Sequence, residues 1–118
     1  MTDPVRLTFD KQRRLRRRSE FLAVQRQGKR LHSSHLIMLV HPRPDRAGEA
    51  RLGVVVTKKL GNAVVRNRCK RVCRELFRLA RPALPANLDL VLIPRASLAD
   101  ANFAALQQEW RSLVGRLA

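Results

Sequence analysis

Residues 62–81 constrain the fold of this chain more than any other segment does. One set of their side chains is apolar and recurs at the spacing of a single helix face. The set comprises Val65, Cys69, Val72, Cys73, Leu76, Leu79 and Ala80. Asn62 is a suitable cap for the start of the helix, and Pro82 ends it near Arg81. The pattern predicts a long amphipathic helix over a hydrophobic core, with both cysteines buried as small hydrophobic side chains.

The opposite side of this predicted helix is cationic. Between Lys58 and Arg81 there are nine cations and one acid, Glu75. A second block, Lys11–Arg30, holds nine more cations and one acid, Glu20. The whole chain has 118 residues, 25 Lys and Arg against 9 Asp and Glu, and a net charge of +16. Twenty of the cations are arginines, whose guanidinium groups suit phosphates, so the charge predicts a nucleic-acid partner.

Shorter segments predict the remaining elements of one domain, residues 1–118, in which residues 1–18 form a basic and mobile lead-in. A short helix follows Ser19 as its cap, and a final helix follows Asp100 as its cap. The predicted strands are Leu36–Val40, Leu52–Thr57 and Leu88–Ile93.

The buried face predicted for the final helix comprises Phe103, Leu106, Trp110, Leu113, Val114 and Leu117. A polar loop without a helix joins the first two strands, so we expect an antiparallel hairpin between them. The order α-β-β-α-β-α predicts a two-layer α+β sandwich whose helices cover one face of the sheet and leave the other free.

Several classes of protein do not fit this composition. No apolar run is long enough to span a bilayer, and the first 18 residues lack the apolar centre of a secretory signal, so we expect a cytoplasmic protein with reduced thiols. Cys69 and Cys73 lack zinc-site spacing, and the three histidines between residues 32 and 41 suit a surface or a sheet. The carboxylates are scattered, whereas metal-dependent nucleases gather them. The chain is therefore expected to bind RNA or DNA without catalytic side chains of its own.

Two kinds of nucleic-acid-binding protein remain open at this point. The chain is compatible with a ribosomal or ribosome-associated RNA-binding protein or with a nucleoid-type DNA-binding protein. A DNA-binding role is less favoured, because the sequence shows no helix-turn-helix or dimeric β-arm.

The segment KKLGNAVVRNRCKRVCREL, Lys58–Leu76, resembles the signature of the bacterial ribonuclease P protein subunit. That family carries the pattern Lys-Lys-x-Gly-Asn-Ala-Val-x-Arg-Asn-x-x-Lys-Arg. The fixed positions match at Lys58, Lys59, Gly61, Asn62, Ala63, Val64, Arg66, Asn67, Lys70 and Arg71. The resemblance extends over nearly the whole chain and favours this family over the two alternatives.

The resemblance implies a fold similar to the second domain of ribosomal protein S5, with a left-handed crossover helix between parallel strands. It also implies a ribonucleoprotein enzyme in which a catalytic RNA cleaves precursor tRNA at the 5′ end. Mg²⁺ is then held mainly by the RNA subunit and the substrate. The protein is expected to be monomeric in a 1:1 complex and to bind both the catalytic RNA and the single-stranded 5′ leader, with no membrane partner.

The resemblance carries over to particular residues. The face for the catalytic RNA comprises Arg66, Asn67, Arg68, Lys70, Arg71 and Arg74. The leader cleft comprises Phe21, Lys58 and Lys59. Many relatives have a second aromatic residue where this chain has Gln25, and aliphatic residues fill Leu36–Val40 where relatives often have an aromatic. We therefore expect weak stacking on the leader, and a purely structural core role for Phe21 is the alternative.

Overall fold

The computed structural model describes residues 14–15, 17–43, 50–80, 84 and 87–117. The helices are α1 Arg18–Gln27, α2 Ala63–Ala80 and α3 Phe103–Gly115. The strands are β1 Lys29–His32, β2 Leu36–Pro42, β3 Arg51–Val54 and β4 Leu88–Pro94. Short 3-10 helices, Lys58–Leu60 and Ala96–Asp100, precede α2 and α3. Most of the basic lead-in, residues 44–49 of the predicted loop, and the expected helix stop at Arg81 and Pro82 lie outside the described residues.

The strands form one sheet in the order β1-β2-β4-β3. The predicted hairpin between Leu36–Val40 and Leu52–Thr57 is wrong, because β4 lies between β2 and β3. Strands β3 and β4 are parallel, with Leu52 opposite Leu90, and α2 provides the long crossover that a parallel pair requires. The antiparallel hairpin partner of β2 is instead β1, which the sequence patterns did not predict. The α+β class is confirmed, with one strand more than expected.

The alternation of side chains along β2 gives the sheet two apolar faces. Leu36, Met38 and Val40 belong to the core under α2 and α3. Ile37 and Leu39 point the other way and pack in a second, smaller cluster with α1. The expectation that all helices lie on one face is therefore wrong: α1 lies on the opposite face and covers part of it.

The larger core confirms most of the predicted helix faces. Its helical members that are buried are Cys69, Cys73, Leu76, Phe77, Leu106, Trp110 and Leu113. Phe77 was not part of the predicted stripe, and Leu79, which was, is 39% exposed. Phe77 follows Cys73 by one helical turn, so the buried stripe is rotated toward Phe77 and away from Leu79.

The caps of the three helices differ in how well the sequence predicted them. Asn62 is confirmed, since its Oδ1 accepts a hydrogen bond from the Val65 backbone N–H at 3.0 Å. The predicted cap Ser19 is wrong, because α1 begins two residues earlier. Arg17 is the cap, and its backbone N–H donates to Glu20 Oε1 at 2.9 Å. The predicted cap Asp100 is also wrong, because Asp100 lies in a 3-10 helix. Asn102 caps α3 instead, and its Oδ1 accepts a hydrogen bond from the Ala104 N–H at 2.8 Å.

A polar contact anchors α3 to the turn between β1 and β2. Glu109 Oε2 accepts hydrogen bonds from the Ser33 hydroxyl and, at 2.9 Å, from the His35 backbone N–H. The His35 ring lies beside Ser97, with 2.7 Å between Nδ1 and Oγ. His32 is exposed on β1 and His41 is half-buried on β2, so the histidines occupy sheet and surface positions as expected.

Burial of Cys73 makes the stability of the fold sensitive to alkaline pH. Burial raises the pKa of this thiol from 9.0 to about 12. The unfolded thiol ionises first, so the stabilising contribution is complete below pH 9.0 and is lost as pH rises toward about 12. We expect the free energy of unfolding, measured by urea denaturation, to fall more steeply over this range than it does in Cys73→Val. Equal slopes for the two proteins would contradict this account.

Candidate nucleic-acid interface

A groove lies between α2 and the segment that precedes α1. Leu15 donates its backbone N–H to Leu52 O at 2.9 Å, and Arg14 is paired with Leu52 in parallel fashion. This pairing places Arg14 along the outer edge of β3 and close to α2. The resulting groove has a volume of about 350 Å³ and is lined by Arg14, Asn67, Lys70, Arg71, Arg74, Glu75 and Arg78.

Four of the six residues expected on the RNA face line this groove. They are Asn67, Lys70, Arg71 and Arg74. Arg66 and Arg68 lie on the same helix but do not line the groove. Arg71 and Arg74 are exposed, whereas Lys70 is half-buried. Because Lys70, Arg71 and Arg74 lie on one side of a single helix, their positive charges form a row along it.

The turn before α2 explains why the motif contains Gly-Asn. Gly61 has φ 138°, a conformation that L side chains rarely adopt. A Cβ atom built there would lie 3.2 Å from Val65 Cβ, so the first helical turn packs directly against this glycine. Asn62 then caps the helix. The preceding residues Lys58 and Lys59 are exposed in their 3-10 turn, outside the groove.

Glu75 is the acid that lines the groove. Arg78 Nε donates a hydrogen bond to Glu75 Oε2 at 3.1 Å. The two side chains, three residues apart on α2, also form a salt bridge. The hydrogen bond from Arg78 lowers the pKa of the Glu75 carboxyl. Sequence patterns did not identify Glu75, Arg78 or Arg14 as groove residues. Arg14 has no local sequence signal, because it reaches the groove only through strand pairing.

The other face of the sheet carries the expected leader residue. Phe21 on α1 is half-buried and packs against the smaller core, as do Ile37, Val55 and Ile93. The ring lies on the backbone of Gly53, since a Cβ atom there would be 2.4 Å from Phe21 Cε1. Phe21 therefore packs against the sheet and also keeps part of its side chain accessible. Gln25, at the position of the absent second aromatic, is exposed.

A buried ion-pair network fixes α1 over this face. Asp89 on β4 is 0% exposed. Arg51 on β3 binds it with two hydrogen bonds of 2.9 Å, from Nε to Oδ1 and from Nη2 to Oδ2. Arg51 Nη1 also donates to Glu20 Oε2 of α1 at 2.6 Å, and Arg43 Nη1 lies 3.3 Å from Asp89 Oδ2. The hydrogen bond to Asp89 raises the pKa of Arg51. Sequence patterns gave no indication of this network.

Within the described residues, no three His, Cys, Asp or Glu side chains cluster so that they could hold a metal ion. The buried carboxylate of Asp89 is already engaged by guanidinium groups. None of the helices in the same part of the chain is long and apolar enough to cross a membrane.

A small α+β sandwich with a row of cations along one helix is an arrangement typical of nucleic-acid-binding proteins. The sequence model of the Ribonuclease P family matches residues 9–118. A ribonuclease P protein component from Desulfovibrio desulfuricans is 39% identical over 115 residues, which cover 96% of this chain and 88% of the relative. One from Gluconacetobacter diazotrophicus is 44% identical over 103 residues, covering 86% of this chain and 88% of the relative.

Solved structures agree with the sequence comparison. The ribonuclease P protein from Thermotoga maritima matches with a TM-score of 0.77 and 34% identity, covering 87% of this chain and 96% of that protein. The one from Staphylococcus aureus matches with a TM-score of 0.76 and 26% identity, covering 89% and 94%. The chain belongs to the ribonuclease P protein family. Membership implies a partnership with ribonuclease P RNA in an endoribonuclease complex that processes tRNA.

The buried network yields a stability prediction. Asp89→Asn keeps the shape of the side chain but leaves the guanidinium of Arg51 without its buried counter-charge. We expect a loss of about 3–5 kcal/mol in the free energy of unfolding, measured by urea denaturation. Asp100→Asn, which removes an exposed carboxylate, should change it by less than about 0.5 kcal/mol. A similar small change for Asp89→Asn would show that the network does not hold the sheet together.

Proposed function

We propose that this protein binds the catalytic RNA of ribonuclease P in the groove of α2 and Arg14. We also propose that it holds the single-stranded 5′ leader of precursor tRNA on the α1 side of the sheet. The RNA subunit then carries out the Mg²⁺-dependent cleavage that produces the mature 5′ end. The observation that carries this proposal is the groove itself, in which cations stand both on α2 and on the neighbouring segment.

The charges of the groove support a phosphate ligand. Arg71 and Arg74 are exposed, and within the described part of the chain neither forms an ion pair with an acid. A row of cations without counter-charges repels itself, and a polyanion relieves that repulsion. Guanidinium groups bind phosphate oxygens in pairs of parallel hydrogen bonds, which suits an RNA backbone in a fixed orientation.

The α1 side of the sheet supports a single-stranded ligand. Ile37, Val55 and Ile93 form a partly exposed apolar floor beside Phe21. Bases stack on aromatic rings in a way that tolerates any sequence, as a leader of varied sequence requires. The floor is mainly aliphatic, so Phe21 supplies the stacking surface. The exposed Lys58 and Lys59 follow Val55 closely along the chain and are proposed to contact leader phosphates.

We assign the chemical step to the RNA, and not to the protein, on the basis of the protein's carboxylates. Because the described carboxylates do not gather into a metal site, the magnesium ions of the reaction are assigned to the RNA subunit and the substrate. The protein contributes binding and orientation, as one copy per RNA in the cytoplasm. No step of the chemistry is assigned to its side chains.

The groove yields a test of RNA binding. Replacing Lys70, Arg71 and Arg74 together by Ala should weaken binding to ribonuclease P RNA, because phosphate contacts are lost. The slope of log K against log salt should become shallower by about 0.7–0.9 for each phosphate contact removed. Binding is measured by filter retention over a salt series, and cleavage of precursor tRNA at low Mg²⁺ should fall in parallel.

A matched control is available on α3. Arg111→Ala removes an exposed cation outside the groove and should leave the salt slope unchanged. The fold of the triple variant should survive, since its three side chains are not part of the buried stripe. Unchanged affinity and unchanged salt slope in the triple variant would overturn the proposal for α2.

The leader site yields a separate prediction. Phe21→Ala should weaken binding of precursor tRNA to the holoenzyme by about 1–3 kcal/mol, because one stacking surface is lost. Mature tRNA, which has no leader, should bind nearly as before. The weak stacking expected from Gln25 places the effect toward the lower end of the range.

The alternative core role for Phe21 gives a different outcome. If packing on Gly53 were its whole contribution, Phe21→Ala would cost about 3–5 kcal/mol of folding stability and affect both tRNAs alike. Urea denaturation of the same variant, run beside the two binding curves, separates a leader contact from a folding defect.

A further inference from the structure

Glu75 is out of place in a groove that binds only phosphates. The other residues lining the groove are cations or, in the case of Asn67, an amide. A carboxylate repels a phosphate group that comes close to it. A purely backbone-binding groove would be stronger without Glu75. Beside its bond to Arg78, this side chain offers an acceptor to a ligand group that donates a hydrogen bond.

The structure keeps Glu75 ionised and accessible. Its hydrogen bond with Arg78 lowers the pKa of the carboxyl, so the group is charged at neutral pH. The Glu75 side chain is 44% exposed. An ionised carboxylate has about four lone-pair positions on its two oxygens, so it can accept from Arg78 and from a ligand at once.

The groove is also divided along its width. Lys70 and Glu75 stand about 140° apart around the axis of α2, given a helical repeat of 3.6 residues. Lys70 and Arg74 supply cations on one side, while Glu75 supplies an acceptor on the other, where Arg71 and Arg78 flank it. The volume of about 350 Å³ is at the lower end of the range for small-ligand sites, about 300–1,000 Å³, and suits one nucleotide better than a duplex.

We propose that the groove binds one unpaired nucleotide of the catalytic RNA, with its phosphate at Lys70 and Arg74 and the exocyclic amino group of its base, cytosine in the simplest case, donating to Glu75. This inference rests on the proposed RNA-binding role of α2. It adds base recognition to a groove that would otherwise recognise only the charge of the RNA phosphates. Glutamate accepting from the cytosine 4-amino group is an established pairing between proteins and bases.

The inference is tested with two RNA decamers, oligocytidine and oligouridine, bound to the full-length protein and followed by fluorescence anisotropy at one salt concentration. The two decamers carry the same number of phosphates, and their bases differ in the groups at the 4-position and N3. The wild-type protein should bind oligocytidine about threefold to tenfold more tightly than oligouridine. Glu75→Gln should bring this ratio close to one.

The direction in which Glu75→Gln changes the two decamer affinities separates base recognition from two simpler roles of Glu75. Glu75→Gln removes a negative charge, so electrostatics alone would tighten binding of both decamers equally. If Glu75 only orients Arg78, both decamers should weaken equally. Either result, with an unchanged ratio, overturns the inference, as does a wild-type ratio of one. Asp100→Asn removes one exposed carboxylate outside the groove and should leave the wild-type ratio intact.

Failure of the inference is distinguishable from failure of the proposed function. The variant lacking Lys70, Arg71 and Arg74 should weaken both decamers and flatten their salt dependence if α2 binds RNA at all. If it does so while Glu75→Gln leaves the ratio unchanged, the groove reads phosphates only. If it leaves both affinities unchanged, the decamers do not occupy the groove and the inference is overturned. Unchanged binding of ribonuclease P RNA by the same variant shows instead that the proposed role of α2 is itself wrong.

Discussion

The bidentate ion pair between Arg51 and Asp89 is the interaction on which the arrangement of the sheet and α1 depends. A carboxylate with no exposed surface is costly to bury unless it is paired and hydrogen-bonded, so Asp89 requires Arg51 at its side. This requirement fixes β3 beside β4 in the register where the two residues are opposite each other. Arg51 also bonds to Glu20, so the same guanidinium fixes α1 above the sheet.

The two binding surfaces follow from the two faces of that sheet. On one face, α2 crosses from β3 to β4 and turns its apolar stripe inward, which leaves its cations on the outside. On the other face, α1 covers only part of the sheet and leaves Ile37, Val55 and Ile93 partly open. The proposed sites for the catalytic RNA and for the leader are thus separated by the sheet. The side chains that line the two sites can be changed separately, because no described groove residue belongs to the smaller core.

Local sequence patterns predicted the elements whose residues follow a regular periodicity. They missed the elements that depend on contacts between residues far apart in the sequence. Helix α2 has 18 residues of consistent periodicity, so its start, its cap and its cationic side could be predicted. Strand β1 could not, because only Leu31 of its four residues is buried and the rest are cations and a histidine. Missing β1 led directly to the wrong hairpin, since β2 then lacked its real antiparallel partner.

The same distinction applies to the sites. The family resemblance predicted Asn67, Lys70, Arg71 and Arg74 for the RNA face, and these four residues lie together on one helix. It could not identify Arg14, which reaches the groove through strand pairing, or the contact of Arg51 with Asp89, which joins residues 38 positions apart. Phe21 was identified by resemblance, but its contact with Gly53 depends on how α1 packs on the sheet. Partners that are far apart in sequence leave no periodic signal.

The pairing of Arg14 and Leu15 with Leu52 makes the groove a composite of two chain segments. One side is a helix that is stable within the core, and the other is a strand-like segment added to a sheet edge. An RNA that contacts both sides binds only the form in which the edge is paired, so binding and edge pairing are thermodynamically linked. The measured affinity therefore equals the intrinsic affinity scaled by the fraction of molecules with the edge paired. Substitutions at Leu15 or Leu52 would change RNA affinity without touching RNA, by changing how often the second side of the groove is in place.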